Sequence, residues 1–418
     1  VMLVLVGLPL FFLELAFGQF ASLGPIAIWK VNPLMKGLGY TMVVTNILVA
    51  LYYNVIIAWC IHYFFSSMTL NLPWQNCQNV WNTVNCIDSN STRNATLIQD
   101  PKTPSEEYFY NKVLNMSDGL EHMGSVQWQL LACLALAWMI VFLVLSKGIS
   151  SLGKIVYFSS LFPYVLLTIM FVRGVTLEGA GLGIKFYLYP DFNRLTDVHV
   201  WNEAATQIFY SLSACCGGLI AMSSYNQFKN NCLKDSIIVS CINCATSFYA
   251  GFVIFSVLGF MANSKGVSVD KVAAGGPGLV FVVYPEGITQ MPFAPVWAVL
   301  FFFMLITLGF SSQFSMVECF FSAVIDEFPI LRTSKRRILM FRAAMCLFFF
   351  LITIPFVTEG GFYLLHLTDQ SLGGFPLLFV GLFESVTICY FYGYDRFAYD
   401  ISLMLGHKPN LYFKFTWC

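Results

Sequence analysis

The sequence predicts an all-α polytopic membrane protein, and three observations carry that prediction. Of the 418 residues, 58% are hydrophobic and only 11% are charged, where soluble domains carry about 25% charged residues. Nine apolar runs are long enough to cross hydrocarbon, which takes about 20 residues at 1.5 Å of rise each. The longest polar loop, 67–126, collects three Asn-x-Ser/Thr sequons, the mark of an extracellular surface. A net charge of zero points away from a nucleic-acid partner.

In order, the runs fall at 1–20, 38–66, 127–146, 152–173, 203–225, 236–262, 296–325, 337–357 and 360–393. The chain starts at Val1, and its last residues, LYFKFTWC, open an apolar segment that does not finish; it reads as a fragment on which no signal peptide can be judged. The first run, PLFFLELAFGQF, holds Glu14, and the second holds Tyr52, Tyr53 and Asn54. The loop after it contains Cys77 and Cys86 in CQNVWNTVNC and the sequons at Asn90, Asn94 and Asn115. That combination predicts an oxidising, glycosylated, extracellular segment with a plausible cysteine pair. The other cysteines are scattered in apolar runs and read as small packing groups.

Charge agrees with that orientation. With 67–126 outside, the alternate loops carry Lys30, Lys36, Lys147, Lys154, Lys229, Lys234, Arg332, Lys335, Arg336, Arg337 and Arg342, and the segment after the ninth run adds Arg396, Lys408 and Lys414. Most of the 22 basic residues thus face the cytoplasm, as the positive-inside rule requires. Among the external loops, 272–295 mixes Gly and Pro with a short apolar stretch and predicts a folded cap with a short helix or re-entrant piece.

The fifth run, FYSLSACCGGLIAMSSYNQF, sets Ser, Cys and Gly at 211–218, halfway across. Gly is about 1 kcal/mol worse than Ala inside a helix, and an unpaired backbone group in hydrocarbon costs several kcal/mol. The pattern predicts a shielded, unwound hinge whose freed carbonyls and N–H groups can hold ions and a carboxylate. Close helix packing through small residues is the alternative reading. Polar groups recur at the same depth: LITLGFSSQFSM at 305–316, Asn243 and Ser247 four residues apart on one helix face, and the carboxylates Glu14, Glu318 and Glu384. Such groups usually face an interior pathway. Hydroxyls, amides and carbonyls suit a hard cation such as sodium. The five histidines are dispersed, no cluster has zinc spacing, and no P-loop or nucleophile elbow is present; the sequence offers no enzyme chemistry and no covalent cofactor.

Six ordered motifs carry a resemblance: GLPLFFLELAFGQF, LPWQNC, AATQIFYSLSACCGGLIAMSSYNQFKNNC, GPGLVFVVYPE, SAVIDEFP and the GYDRFAYDI tail. Over its full length the chain is similar to the neurotransmitter:sodium symporters, most closely their glycine and amino-acid branch. The resemblance implies a twelve-helix fold of two inverted five-helix repeats with the first and sixth helices broken. In that frame the chain holds helices 2 to 10 and the start of 11, and residues 1–418 form one transmembrane domain with 67–126 as its glycosylated extracellular loop.

The same resemblance implies roles. A first sodium site would use Ser211 and Asn243, and a second the Leu308 carbonyl with Ser311 and Ser312. Chloride would be held by Gln207, Ser211, Asn243 and Ser247. The neutral Ser247 stands where chloride-independent members have a carboxylate, so a chloride would supply the balancing charge. Val49, Tyr53, Tyr210, Ser213, Cys216, Ser312 and Met316 would line the substrate pocket, with Tyr53 bonding the substrate carboxylate and Tyr210 as roof. Asp369 would be the acceptor half of the outer gate, whose Arg partner belongs to the family's first helix. Tyr225 and Asp326 would serve the inner gate, and Glu14 would accept hydrogen bonds from the unwound backbone. Two positions depart from the pattern. Ser311 replaces the Asp usual in animal members, and Cys216 replaces the Trp of glycine transporters, leaving room for a larger side chain. The expected function is sodium- and chloride-coupled import of a small neutral amino acid across the plasma membrane. A non-transporting binding or regulatory protein of the same fold is the alternative.

Overall fold

The computed structural model describes residues 1–87, 102–146, 149–272 and 276–418. The sequons at Asn90 and Asn94 lie outside the described residues. A π turn at Leu3–Gly7 runs straight into α1 (Leu8–Ala21), and Pro9, which has no N–H to give, stands just after the join. The left-handed Ser22 ends that helix. Two 3-10 turns lead to α2 (Lys36–Ser66), whose 31 residues make a rod of about 46 Å, longer than the hydrocarbon it has to cross. Cys77 and Cys86 form a disulfide. Then follow α3 (Trp128–Ser146) and α4 (Ile149–Val175), the latter with Pro163 inside it.

A short helix, α5 (Ala180–Leu188), lies across the outer part of a later helix. Its contact is made by glycine: a Cβ on Gly183 would stand 1.7 Å from the Phe255 carbonyl oxygen. The fifth apolar run is not one helix. Asp197 caps α6 (Val198–Leu212), and after five non-helical residues α7 (Gly218–Ser223) resumes. Next come α8 (Cys232–Lys265), a π turn with α9 (Tyr284–Thr289), the long α10 (Ala294–Glu327) and α11 (Lys335–Thr353). The pieces at 279–289 match the cap expected in the external loop.

The ninth run departs from the single span expected for 360–393. It divides into α12 (Gly361–Leu372) and α13 (Phe375–Val386), continues through a π turn at Thr387–Gly393, and ends as α14 (Tyr394–Leu405). Gly374 has φ +105°, a conformation open to glycine and not to side-chain-bearing residues, so the Gly373–Gly374 pair turns the chain there. The last helix is α15 (Leu411–Trp417). Eight helical segments among the described residues are long and apolar enough to cross a membrane; the broken fifth run is not among them.

Two large apolar cores form among the described residues, with a small cluster of Ile26, Val43 and Ala323 beside them. One gathers α2, α3, α4, α8, α10, α11 and the external cap, centred on Trp59, Tyr63, Phe302 and Phe314. The other gathers α1, the α6–α7 region, α13, α14 and α15 around Phe12, Trp29, Phe397 and Trp417. The most extensive helix pairing is α2 with α10, inside the first core; there a Cβ on Gly309 would meet Ile57 at 2.8 Å.

On the external side, Glu359 ties the 115–125 segment to the corner before α12. Its Oε1 accepts from Ser125 Oγ at 2.6 Å and from Asn115 Nδ2 at 2.9 Å, and its own N–H donates to the Ser125 carbonyl at 3.3 Å. The Ser125 hydroxyl holds the Glu359 carboxyl below its ordinary value. The stabilisation is therefore fully present above the unfolded carboxyl value, near about 4.3, and is lost as pH falls through the lowered folded value. Protection factors in 115–125, each referred to the intrinsic exchange rate at its own pH, are expected to fall on stepping to about pH 3, and in Glu359→Ala to be lowered already at neutral pH. Protection that does not respond to either change would refute the clasp.

Candidate functional site at the broken helix

The break is built from three residues in the left-handed region: Ser213 at φ 53°, Cys215 at 64° and Gly217 at 73°. Ser213 and Cys215 carry side chains there, a costly conformation that persists only where neighbours enforce it. The neighbours are identifiable. Ser213 N–H donates to the Tyr210 carbonyl at 3.1 Å and Ala214 N–H to the Phe209 carbonyl at 3.0 Å, closing the end of α6. Cys215 N–H donates to Glu14 Oε1, from the fully buried carboxylate of α1. Glu14 thus meets the unwound backbone from α1.

A second carboxylate was not assigned a role from sequence. Glu384 of α13 is also fully buried. Among the described residues no N–H or O–H donor reaches either of its oxygens, and the Cys215 thiol lies beside it. Ligand atoms of Glu14, Cys215 and Glu384 all lie within 4.8 Å of one another. Sequence spacing could not show this cluster, because its members come from residues 14, 215 and 384; the only signal was a lone carboxylate in an apolar run.

Around the break the expected ion-binding residues are partly brought together. Asn243 Nδ2 of α8 donates to Ser211 Oγ at 2.6 Å, bridging two segments that are distant in sequence. Gln207 lies one turn before Ser211 on α6, and Ser247 donates to the Asn243 carbonyl at 3.1 Å one turn along α8. On α10, Ser311 Oγ donates to the Leu308 carbonyl at 2.7 Å. Leu308 and Ser311 line a cavity of about 400 Å³ enclosed mainly by α4, α8 and α10.

The expected pocket residues sit at the seam between the two cores. Val49, Tyr53 and Met316 pack against the first core, Tyr210 and Cys216 against the second. The Tyr53 phenol faces Ser312, while Ser213 and Ser312 are exposed. Above the break, Asp369 Oδ1 accepts from Tyr52 Oη at 2.8 Å. The sequence marks Tyr52 only as a polar group of the second run, because its adjacency to Tyr53 does not show that the two point in different directions from the helix.

Below the break, Tyr225 Oη donates to Ser322 Oγ at 3.2 Å. Asp326 accepts from Gly24 N–H at 2.6 Å and pairs with Arg332. Beside them, Arg342 corrects the reading that placed it with the cytoplasmic loop cations. It is a buried residue of α11, donating to both Glu318 oxygens at 2.8 and 3.1 Å and also to the Leu145 carbonyl. The pair is possible because each charge answers the other in a site water does not reach.

A family profile described as the sodium:neurotransmitter symporter family matches residues 1–418. The chain is 45% identical to sodium- and chloride-dependent glycine transporter 2 of Xenopus laevis, over 100% of this chain and 56% of that protein. It is 46% identical to glycine transporter 1 of the same organism, over 100% of this chain and 69% of that one. To GABA transporter 2 of Rattus norvegicus it is 44% identical, over 98% of this chain and 69% of the relative. The chain therefore spans about half to two thirds of the length of these relatives.

The Arg342–Glu318 pair gives a prediction free of any functional assignment. Arg342→Met strands a buried carboxylate and should destabilise the protein by roughly 3–5 kcal/mol, whereas Arg342→Met with Glu318→Leu should recover most of that loss. Thermal unfolding in detergent measures both; a single variant as stable as the parent would show that the pair is not formed.

Proposed function

The chain belongs to the sodium:neurotransmitter symporter family, and from that premise we propose that the full-length protein imports a small neutral amino acid by sodium- and chloride-coupled alternating access. Family membership and eight segments of spanning length among the described residues make it a multi-pass plasma-membrane protein. Its curated relatives are named as sodium- and chloride-dependent transporters. The observation that carries the reading is the 2.6 Å Ser211–Asn243 contact beside the unwound backbone. It brings the Ser211 hydroxyl and the Asn243 amide together, and hydroxyl and amide oxygens are ligands of the kind a hard cation takes.

In this reading Ser211 and Asn243 hold the first sodium ion, and the Leu308 carbonyl with Ser311 and Ser312 the second. Gln207, Ser211, Asn243 and Ser247 hold chloride. The neutral Ser247 lets the anion supply charge that the protein does not. Substrate lies between Val49, Tyr53, Ser312 and Met316 on one core and Tyr210, Ser213 and Cys216 on the other. Tyr53 takes the substrate carboxylate. Because the two faces belong to separately packed cores, cargo and ions bridge them, and their departure lets one core move against the other. Tyr225 and Asp326 close the inner path and Asp369 the outer one. Residues 1–418 act as one transmembrane domain with 67–126 as its extracellular loop, and Asn90, Asn94 and Asn115 as its glycan acceptors.

For the substrate, relatives named for glycine and for GABA match about equally well. The size of the Cys216 side chain favours a cargo somewhat larger than glycine. Radiolabelled uptake by the full-length protein tests this reading, with and without a sodium gradient and with glycine, alanine, proline, leucine and GABA as competitors. Sodium-dependent uptake is expected, with alanine or proline competing better than glycine. Glycine as the strongest competitor refutes the size argument, and no sodium-dependent uptake of any of them refutes transport in favour of a binding role. Ser211→Ala and Asn243→Ala should each raise the sodium concentration for half-maximal uptake about tenfold, the loss expected of one ligand to a charged group; unchanged sodium activation in both would overturn the first-site assignment.

A further inference from the structure

The phenol of Tyr52 occupies a place that none of the assigned gate or pocket residues fills. Tyr52 belongs to α2 and to the first core, where it is 3% exposed. Its Oη lies 2.8 Å from Asp369 Oδ1 of α12 and 2.9 Å from Tyr210 Oη of α6. Tyr210 packs against the second core. The Tyr52–Tyr210 hydrogen bond therefore crosses the seam between the two cores, on the α6 side of the break. The end of α12 closes over the same ring: a Cβ on Gly373 would stand 3.2 Å from Tyr210 Cε2.

The direction of the bonds follows from the donors available. An ionised carboxylate only accepts, and a phenol has one proton to give. Tyr52 gives its proton to Asp369, so Tyr210 must donate to Tyr52. The result is a chain, Tyr210 to Tyr52 to Asp369, in which each bond polarises the next. Tyr53, one residue on, points about 100° away around the helix and faces Ser312. Adjacent phenols on one turn of α2 thus divide two tasks, one toward the pocket and one toward its roof.

We propose that Tyr52 is the positioning residue of the outer gate: its phenol relays the roof hydroxyl of Tyr210 to the carboxylate of Asp369 and so holds the two cores together on the outer side. Opening the outer path requires that relay to break, because it spans the surface along which the cores separate. Asp369 needs no direct contact with the roof; Tyr52 reads the roof's position for it. The inference rests on the transport reading for its cycle, while the relay itself stands on the three distances.

The test uses the full-length protein in cells, with surface copies counted by biotinylation. Tyr52→Phe keeps the ring and removes both bonds; Tyr210→Phe removes one. Maximal uptake per surface copy is expected to fall about five- to tenfold in Tyr52→Phe and less in Tyr210→Phe, the population shift of one or two lost hydrogen bonds. The double variant should match Tyr52→Phe, because its second change removes nothing further. A merely structural role would not alter access from outside. Modification of Cys216, beside the roof, by a membrane-impermeant thiol reagent should therefore quicken about as much as uptake falls, and vanish in Cys216→Ser. Unchanged uptake overturns the proposal, as does lower uptake with an unchanged Cys216 rate or an additive loss in the double variant. A parent protein without sodium-dependent uptake refutes the transport reading alone, since the Cys216 rate still reads the relay.

Discussion

The structure depends on one constraint: backbone groups released inside a membrane must find partners within the protein. Between Leu212 and Gly218 the helix gives up its ladder, and the chain answers with local and distant acceptors. Tyr210 and Phe209 carbonyls take the first two freed N–H groups, and the Glu14 carboxylate of α1 takes the third. Glu14 lies about 200 residues away, so the unwound segment exists only in the folded assembly. A carboxyl suits the task because its oxygen accepts from an N–H whether or not the group carries a proton.

From that break the division of the molecule follows. Residues before and after it pack with α1 and the C-terminal helices, while α2, α10 and their neighbours form a separate core. Within each core the packing is of the dense, interlocking kind that moves as a body. Where the seam passes the break it carries the Ser211 hydroxyl and the Asn243 amide, beside apolar contacts such as that of Met42 from α2 in the second core. At the break and at the polar pairs on either side of it the seam is held by hydrogen bonds that water or a ligand can replace, which makes it the natural place for cargo and for movement.

Polar pairs mark both ends of the seam. Tyr52, Tyr210 and Asp369 meet above the break; Tyr225 with Ser322, and Asp326 with Gly24 and Arg332, meet below it. The buried Arg342–Glu318 pair stands apart from these in kind. It joins α10 to α11 and the end of α3 inside the first core, and stiffens the body against which the inner pairs act.

What the sequence alone determined was what local chemistry dictates. Apolar run length gave the spans, Ser, Cys and Gly at 211–218 gave the break, and paired cysteines in a polar loop suggested the disulfide that Cys77 and Cys86 form. Ordered motifs gave the family. Only the tertiary structure decided what depends on long-range pairing. It placed Glu384 beside Glu14, turned Arg342 from a loop cation into a buried partner, bent the ninth run at Gly373–Gly374, and gave Tyr52 a task different from that of Tyr53. A helix pattern states which residues share a face, but not which other helix that face will meet. That is settled when distant segments compete to satisfy the same buried polar groups.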